Sequence, residues 1–479
     1  MLAEEKSSSR KRFRMEIYMV QDMTKGSPVK IILMFALPML AGNIFQQFYN
    51  IVDSIVVSHG VGVNAFASVG CTSSMNFFII GFVMGLCQGF SILISQYFGA
   101  GDIANLKKSA AMSIVLAVFS VVIVGVLAVI FSRGILTLMQ TPDLYMADAV
   151  LYSRIVYGCI GCMVFYNLTS SILRALGDSR TPLISIIISC FVNIGLDLLF
   201  VFGFHWGVAG AAIATALAQL AATGFNLYRM KDIRQLKLSG KDFRIDLSLI
   251  KRMIVIGCPM AFQNSVTALG VMILQGSVNR LGPVYTVAYA SGCKIVNIIQ
   301  QPNATFGMTM ATYVGQNLGG KQYDRIRQGV RKCILINLII CSSLCALMFL
   351  SADFISHYLI KGGEEGAIAG STEYIIVLSC FLWILGLLWP YRSALQGMGR
   401  TIVPMLSGGL ELVLRISLVL TLPLVFGFRG VMAAEISAWA GATLMIIIDY
   451  YRVQRRGILS QLSVRSVYKE LHADRETGC

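Results

Sequence analysis

The chain has 479 residues, of which 56% are hydrophobic and 13% are charged, and its formal net charge is +15. Soluble domains carry about 45–50% apolar and about 25% charged residues, so this composition excludes a soluble globular protein as well as a disordered or fibrous one. A basic chain can have a nucleic-acid partner. Here the basic residues stand in short clusters between long uncharged runs, which is typical of a polytopic membrane protein without such a partner.

Apolar runs long enough to cross a bilayer, about 20 residues each, predict twelve transmembrane helices. In chain order they lie near residues 31–58, 66–98, 110–131, 150–175, 182–203, 207–228, 253–279, 285–318, 333–351, 373–396, 402–426 and 429–451. The first run is too long for a cleavable signal peptide, although basic residues precede it.

The positions of the basic residues predict the orientation of the chain. If the N-terminus is cytoplasmic, 32 of the 39 Lys and Arg residues fall on the inner side and five on the outer side, with the segments 174–180 and 392–400 counted as inner loops. Inner loops of membrane proteins are enriched in Lys and Arg. Both termini are therefore predicted to be cytoplasmic.

Four short sequence matches recur in the same order and at a nearly constant separation along the chain. They pair Ala36–Met39 with Gly257–Met260, Gln96-x-x-Gly99 with Gln316-x-x-Gly319, Ser171–Gly177 with Ser393–Gly399, and Phe202–Phe204 with Phe426–Phe428. The chain is thus predicted to be two homologous six-helix lobes. Because six is even, the repeat is parallel, and binding sites in such proteins lie between the repeats.

Polar side chains that include two carboxylates are predicted inside the spans of the first lobe. They are Gln46, Asn50 and Asp53 on the first span, Asn193 and Asp197 on the fifth, and Thr215 on the sixth. A charge inside a membrane costs about 2.5–3.5 kcal/mol on insertion scales, so each one is a candidate functional residue. Their oxygen atoms suit a small hard cation. A purely structural polar cluster remains the alternative, because the sequence does not show that these helices adjoin.

Several motifs together resemble prokaryotic multidrug and toxic compound extrusion (MATE) transporters, from about residue 23 to residue 452. They are Met23–Ser27, Phe35–Pro38, Phe48–Ser54, Ser95–Asp102, Leu173–Asp178 with Thr181-Pro182, and Gly207–Ala212. The resemblance implies an all-α integral membrane protein with twelve helices in two bundles that form a V. It also implies a bacterial plasma-membrane exporter that exchanges Na⁺ or H⁺ for bulky, amphipathic, mostly cationic compounds.

The resemblance also assigns roles to individual residues. In similar transporters the positions of Asp53, Asn193, Asp197 and Thr215 surround the coupling cation, which makes them the predicted Na⁺ ligands if coupling uses sodium. Sodium and proton coupling stay open because both use the same carboxylates. No other cofactor is expected.

The predicted substrate-cavity residues come from both lobes. They are Gln46, Tyr49, Asn50, Gln263, Asn264, Gln275, Lys294 and Arg415. The repeat places Leu274 and Arg415 where the first lobe has Asp53 and Asn193, so the second lobe lacks the acidic pair. Glu411 and Arg415 are four residues apart and are predicted to pair. Whether Lys294 and Glu435 line the cavity or pair between helices stays open.

The predicted organisation is a cytoplasmic segment 1–27, an N-lobe 28–229, a basic linker 230–250, a C-lobe 251–452 and a cytoplasmic tail 453–479. We expect a monomer whose partners are small amphipathic substrates and the lipid bilayer. The chain offers no catalytic constellation typical of a membrane enzyme. The leading functional prediction is a cation-coupled antiporter, and the alternative is a flippase for lipid-linked saccharides or other lipids of the same superfamily.

Overall fold

The computed structural model describes residues 20–139, 141–360 and 364–455, and the regular structure in these ranges is helical. The first lobe contains α1 (Pro28–Gly60), α2 (Val63–Ala100), α3 (Ile103–Leu138), α4 (Asp143–Gly158), α5 (Ile160–Ala175), α6 (Arg180–Asp197), a π-helical turn (Leu198–Gly203) and α7 (Gly207–Met230). Two short 3₁₀ turns, Arg234–Leu236 and Gly240–Phe243, form the linker. The second lobe contains α8 (Leu247–Arg280), α9 (Pro283–Ile299), α10 (Gln301–Gly319), α11 (Tyr323–Leu359), α12 (Glu365–Cys380), α13 (Leu382–Gly397), α14 (Ile402–Phe426) and α15 (Phe428–Arg455).

The predicted spans correspond to these helices, but some spans consist of two helices. Nine of the described helices are long and apolar enough to cross a membrane alone, and eleven spans result when α4/α5 and α12/α13 each count as one. The predicted span 285–318 is formed by α9 and α10, which meet at Gln300. It is less apolar than the others, and α10 carries Gln301, Asn303, Gln316 and Asn317. Three of these polar side chains are buried against other helices rather than exposed to lipid: Asn303, Gln316 and Asn317.

The bends recur at equivalent places in the two lobes. The predicted spans 150–175 and 373–396 each bend by 47°, at Cys159 and Phe381. These two residues have φ near −100° and ψ near 10°, the sparsely populated bridge region that interrupts a helix. Cys159 precedes the motif Ser171–Gly177 by the same distance along the chain as Phe381 precedes Ser393–Gly399, so the bends belong to the repeat.

Backbone turns with positive φ show the same repeat. Gly62 and Gly282 have φ of 110° and 108°, Gly177 and Gly399 have 86° and 80°, and Gly207 and Gly427 have 59° and 54°. The two members of each pair are separated by nearly the same length of chain as the repeated motifs. Glycine adopts positive φ without a steric penalty, so the sequence specifies the same helix connections twice.

Two large hydrophobic cores are present, and the first helix of each lobe contributes to the core of the other. The core of the second lobe contains Ile31, Ile32, Phe35, Ala36 and Met39 of α1. The core of the first lobe contains Leu249, Met253, Ile256, Met260 and Ala261 of α8. The C-terminal part of each helix packs within its own lobe. Leu274 and Val278 of α8 belong to the core of the second lobe, and Val56 of α1 packs with Val201 and Ala211 of the first lobe.

The lobes approach each other closely near one end of the bundle, which we call the linker face because it carries residues 20–27 and 231–246. A Cβ atom on Gly99 would overlap the backbone of Gln316, and one on Gly319 would overlap the backbone of Gln96. Gln316 and Asn317 also bind the segment before α1: Gln316 Oε1 accepts from the Met23 amide at 2.9 Å, and Asn317 Nδ2 donates to the Met23 carbonyl at 3.2 Å. The repeated Gln-x-x-Gly motifs are therefore a contact between the lobes.

Candidate functional site

The polar cluster predicted for the first lobe lies at the contact between α6 and α7. Asn193 and Asp197 are fully buried on α6. Asn193 Nδ2 lies 3.5 Å from Thr215 Oγ1 on α7, and that hydroxyl donates to the carbonyl of Ala211 at 3.0 Å. The helices thus bring a carboxylate, an amide and a hydroxyl together inside the lobe.

The first helix packs against this pair of helices. α1 contacts α6, the π-helical turn and α7, and Val52 and Val56 of α1 lie beside Val201 and Ala211. Asp53 stands between these two valines in the sequence, but its side chain and that of Asn50 lie outside the described residues. The structure therefore places the Asp53 segment against the α6–α7 contact without describing the carboxylate itself.

The chemistry of this cluster suits a small cation. Within the described part of the chain, Asn193 Oδ1 is a buried oxygen with no hydrogen-bond partner. A buried acceptor without a donor is costly, and a cation or a water molecule would satisfy it. Together with the carboxylate of Asp197, this oxygen forms the kind of hard-ligand set that binds small cations.

A small cavity lies within the first lobe, and its lining does not include Asn193, Asp197 or Thr215. It has an empty volume of about 340 Å³. It is lined by Gln46, Tyr49, Tyr166, Ile186, Ser189, Cys190 and Gln219. Two of the residues predicted to line a cavity, Gln46 and Tyr49, are therefore on this cavity, which lies within one lobe.

A larger cavity lies between the lobes, and the empty space in it, including solvent open to the surroundings, is about 680 Å³. Its polar lining is Gln88, Ser91, Ser95, Ser171, Arg174, Gln263, Asn264, Thr312, Arg392, Ser393 and Gln396, and its apolar lining is Ile92, Met260, Met308, Ala311 and Trp389. The predicted residues Gln263 and Asn264 line this cavity. Its lining contains two arginines and no carboxylate among the described residues.

Sequence reasoning missed Arg174 and Arg392: the predicted spans 150–175 and 373–396 contain them, but both were counted with the inner loops that follow those spans. That assignment is wrong: Arg174 lies in the last turn of α5, and Arg392 lies within α13. The signal was present in the repeated motifs, since Arg174 belongs to Ser171–Gly177 and Arg392 immediately precedes Ser393–Gly399. The helices continue almost to the glycines that end each motif.

A buried charge network stands behind the cavity in the second lobe. Glu411 Oε1 accepts from Arg415 Nη2 at 3.0 Å, which confirms the predicted pair. Glu411 Oε2 also accepts from Arg392 Nη2 at 3.2 Å. The prediction that Arg415 lines the cavity is wrong, because its side chain is buried against Gly270 and held by Glu411.

The remaining predicted cavity residues of the second lobe lie elsewhere. Gln275 Nε2 donates to Asn279 Oδ1 at 2.9 Å on its own helix, and Lys294 is exposed on α9; neither lines the inter-lobe cavity. Glu435 is buried on α15 and accepts from the Tyr374 hydroxyl at 3.1 Å. Of the two alternatives for Glu435, the structure thus shows pairing between helices.

A family model described as MatE matches residues 38–199 and 259–421, more than half of the chain. The chain belongs to the MatE family. The two matched segments begin at residues 38 and 259, so the family model recognises each copy of the internal repeat separately. The protein is thus a membrane transporter of the MATE family.

This MatE-family chain is similar to curated proteins of Bacillus subtilis (strain 168). It is 28% identical over 376 residues to the probable multidrug resistance protein YoeA, a match that covers 77% of this chain and 81% of the relative. It is 26% identical over 422 residues to the probable multidrug resistance protein YpnP, with 88% and 91% covered. The solved structure described as MATE in the bent conformation has a TM-score of 0.85 at 22% identity and covers 93% of this chain and 98% of its own. This likeness shows that the chain has the MATE fold.

Proposed function

We propose that this MatE-family transporter exports amphipathic drugs or toxic organic compounds by secondary active antiport, in exchange for Na⁺ or H⁺. Support for drug export comes from its family and from relatives that are named probable multidrug resistance proteins. The observation that carries the coupling part is the burial of Asp197 and Asn193 beside Thr215, on helices that pack against α1. In this proposal both termini are cytoplasmic.

The coupling cation binds in the first lobe, at Asp53, Asn193, Asp197 and Thr215. The carboxylates hold either a proton or a sodium ion there, and the amide and hydroxyl oxygens complete the ligand set. A cation shifts the balance between two lobe arrangements only if it binds them with different affinity. The C-terminal part of α1 packs against the helices of this cluster, and the N-terminal part of α1 belongs to the hydrophobic core of the second lobe. The same helix therefore links cation occupancy to the packing between the lobes.

The test is transport by purified protein in liposomes with an imposed Na⁺ or proton gradient. Asp197→Asn and Asp53→Asn are expected to reduce gradient-driven export of a fluorescent amphipathic compound by about 10- to 100-fold. Each substitution removes a charged group that binds the cation, and the lost interaction is worth roughly 1.5–3 kcal/mol. Asp353→Asn is the matched control, because Asp353 is 74% exposed on α11 and contacts only His357 among the described ion pairs. Export by Asp197→Asn at the wild-type rate under both gradients would contradict the coupling site.

A lipid flippase is the second candidate, and the inter-lobe cavity is the observation that favours it. The described lining includes Arg174 and Arg392 but no carboxylate, and guanidinium groups recognise phosphates. A phospholipid or lipid-linked saccharide that crosses the bilayer in the absence of a cation gradient would favour this candidate over the antiporter.

A further inference from the structure

Arg174 places a positive charge on the wall of the inter-lobe cavity. Its one described side-chain hydrogen bond runs from Nη2 to Ser171 Oγ at 2.9 Å, three residues earlier on the same helix. Among the described residues, no carboxylate lies within the 4.0 Å of an ion pair with it. A guanidinium carries five N–H donors and no acceptor, so most of its donors remain available to a ligand.

Arg392 supplies a second positive charge to the same cavity from the other lobe. Its carboxylate partner Glu411 is shared with Arg415, so two guanidinium groups face one carboxylate. Within the part of the chain that the structure describes, Arg392 Nε has no hydrogen-bond partner. A second carboxylate, Glu435, interacts electrostatically with Arg415, whereas Glu411 is the carboxylate in contact with Arg392. Electrostatic interactions are strong where water is scarce.

The rest of the lining combines hydrogen-bond donors with an apolar wall. Amide and hydroxyl side chains surround the arginines, including Gln88, Ser91 and Gln396. Met260, Met308 and Trp389 form an apolar part of the same wall. Such a cavity matches a ligand with an acidic group at one end and an apolar or aromatic body at the other, because Met adapts to apolar surfaces of varied shape and Trp offers a large aromatic face.

We propose that the inter-lobe cavity binds an anionic group, a carboxylate or a phosphate, on the exported compound, with Arg174 and Arg392 as its partners from the two lobes. This inference rests on the proposed export function and narrows it: preferred substrates are acidic or zwitterionic amphipathic compounds rather than simple cations. A ligand that spans both arginines contacts both lobes, and it therefore also favours the arrangement in which the lobes are close.

The test compares two forms of one fluorescent xanthene dye, the free carboxylate and its methyl ester, in equilibrium binding to purified protein. The wild type is expected to bind the acid more tightly than the ester. Arg174→Gln is expected to weaken acid binding about tenfold relative to ester binding, since it removes a charge-assisted contact. Arg174→Lys, which keeps the charge, is expected to retain part of the preference and shows whether the glutamine variant merely misfolds. Arg180→Gln is the matched control, because Arg180 is exposed at the start of α6.

The source of the anionic group is distinguished by a second ligand, a fluorescent short-chain lipid with a phosphomonoester head. Loss of acid-dye binding in Arg174→Gln supports a soluble substrate, and loss of only the phosphate-lipid signal supports a lipid substrate. The inference would be overturned if the wild type bound acid and ester equally while Arg174→Gln left binding of the phosphate lipid unchanged, or if Arg174→Gln affected all three ligands equally. Binding is measured without a gradient, so the two proposals are tested separately. A failure of transport under both gradients contradicts the proposed export function, whereas the binding experiment still tests whether the cavity binds an anionic group.

Discussion

Glu411 holds two buried arginines in place in the second lobe. Arg392 and Arg415 each donate to one of its carboxylate oxygens, and all three side chains are buried. Removing one partner of a buried ion pair leaves a charge in an environment of low dielectric constant, which costs about 3–5 kcal/mol. The carboxylate therefore stabilises the second lobe even though it does not line the cavity.

Glu411→Gln is expected to destabilise the purified protein by about 3–5 kcal/mol because two cations lose their counter-charge. The measurement is thermal or denaturant unfolding in detergent. Glu373→Gln serves as the control: Glu373 pairs with Arg429 at 2.6 Å, but that arginine is 77% exposed, and exposed pairs contribute about 0–1 kcal/mol. Equal effects of the two substitutions would contradict the buried network.

What the sequence reveals at this scale depends on the distance between the residues in the chain. The Glu411–Arg415 pair is predictable because helix geometry fixes positions i and i+4. The third member, Arg392, comes from another helix, and no spacing rule connects it to Glu411. Arg174 was missed for a different reason: it lies in the predicted span 150–175, but its charge was counted with the inner loop that follows. The sequence also does not show that the last turn of α5 lines a cavity.

At the scale of helices, the repeat of Gln-x-x-Gly identifies where the lobes touch. The sequence shows the two copies, Gln96–Gly99 and Gln316–Gly319, but not that they pack on each other. Each glycine lies against the backbone of the other copy, and Gln96 Nε2 also donates to the Gly397 carbonyl at 2.9 Å. Small residues permit this approach of two helix backbones inside a membrane.

Gly99→Ala and Gly319→Ala are each expected to cost about 1–3 kcal/mol, the usual range for overpacking, because the clashing atoms are backbone rather than flexible side chains. They should also widen the linker face, measured as a longer distance between spin labels on α2 and α10. Gly134→Ala is the matched helical control, since nothing lies within 4 Å of its Cβ position. A linker face of unchanged width in both variants would show that these contacts do not set the lobe separation.

The elements themselves were predictable to different degrees. Apolar length identifies most spans, because a bilayer requires about 20 apolar residues. The 47° bends at Cys159 and Phe381 have no proline at the break, and only the first has a neighbouring glycine, Gly158. The break at Gln300 between α9 and α10 is also hard to predict from the sequence. Polar side chains of α10 form hydrogen bonds to other helices, and the sequence does not reveal these contacts; Gln316 Nε2, for example, donates to the Ala175 carbonyl at 2.9 Å.

At the scale of the whole molecule, neither lobe completes its core alone. The first core includes side chains of α8 from Leu249 to Ala261, and the second includes side chains of α1 from Ile31 to Met39. The predicted lobe boundaries, 28–229 and 251–452, follow the sequence repeat, but the packing of hydrophobic side chains crosses these boundaries. Each lobe therefore lacks part of its buried core without the other half of the chain.

A chain cut in the linker, after Leu238, tests this interdependence. Residues 1–238 and 239–479 expressed separately are expected to aggregate or to be degraded, since a large buried side chain is worth about 1.5–3 kcal/mol. The two halves expressed together are expected to accumulate and to copurify. Purification of either half alone as a stable, monodisperse protein would contradict the reciprocal packing. The intact chain is the control for expression level.

In the terms used for oligomers, the exchange of α1 and α8 between the cores is a domain swap contained in one polypeptide. The linker then acts as a tether that keeps the two swapped partners at high effective concentration. A consequence concerns biosynthesis: the helices of the first lobe leave the ribosome before Leu249–Ala261 exist, so that lobe remains in the bilayer with an open core until α8 is made. Helix insertion and lobe assembly are therefore separate events, and the assembly of the first lobe waits for the first helix of the second.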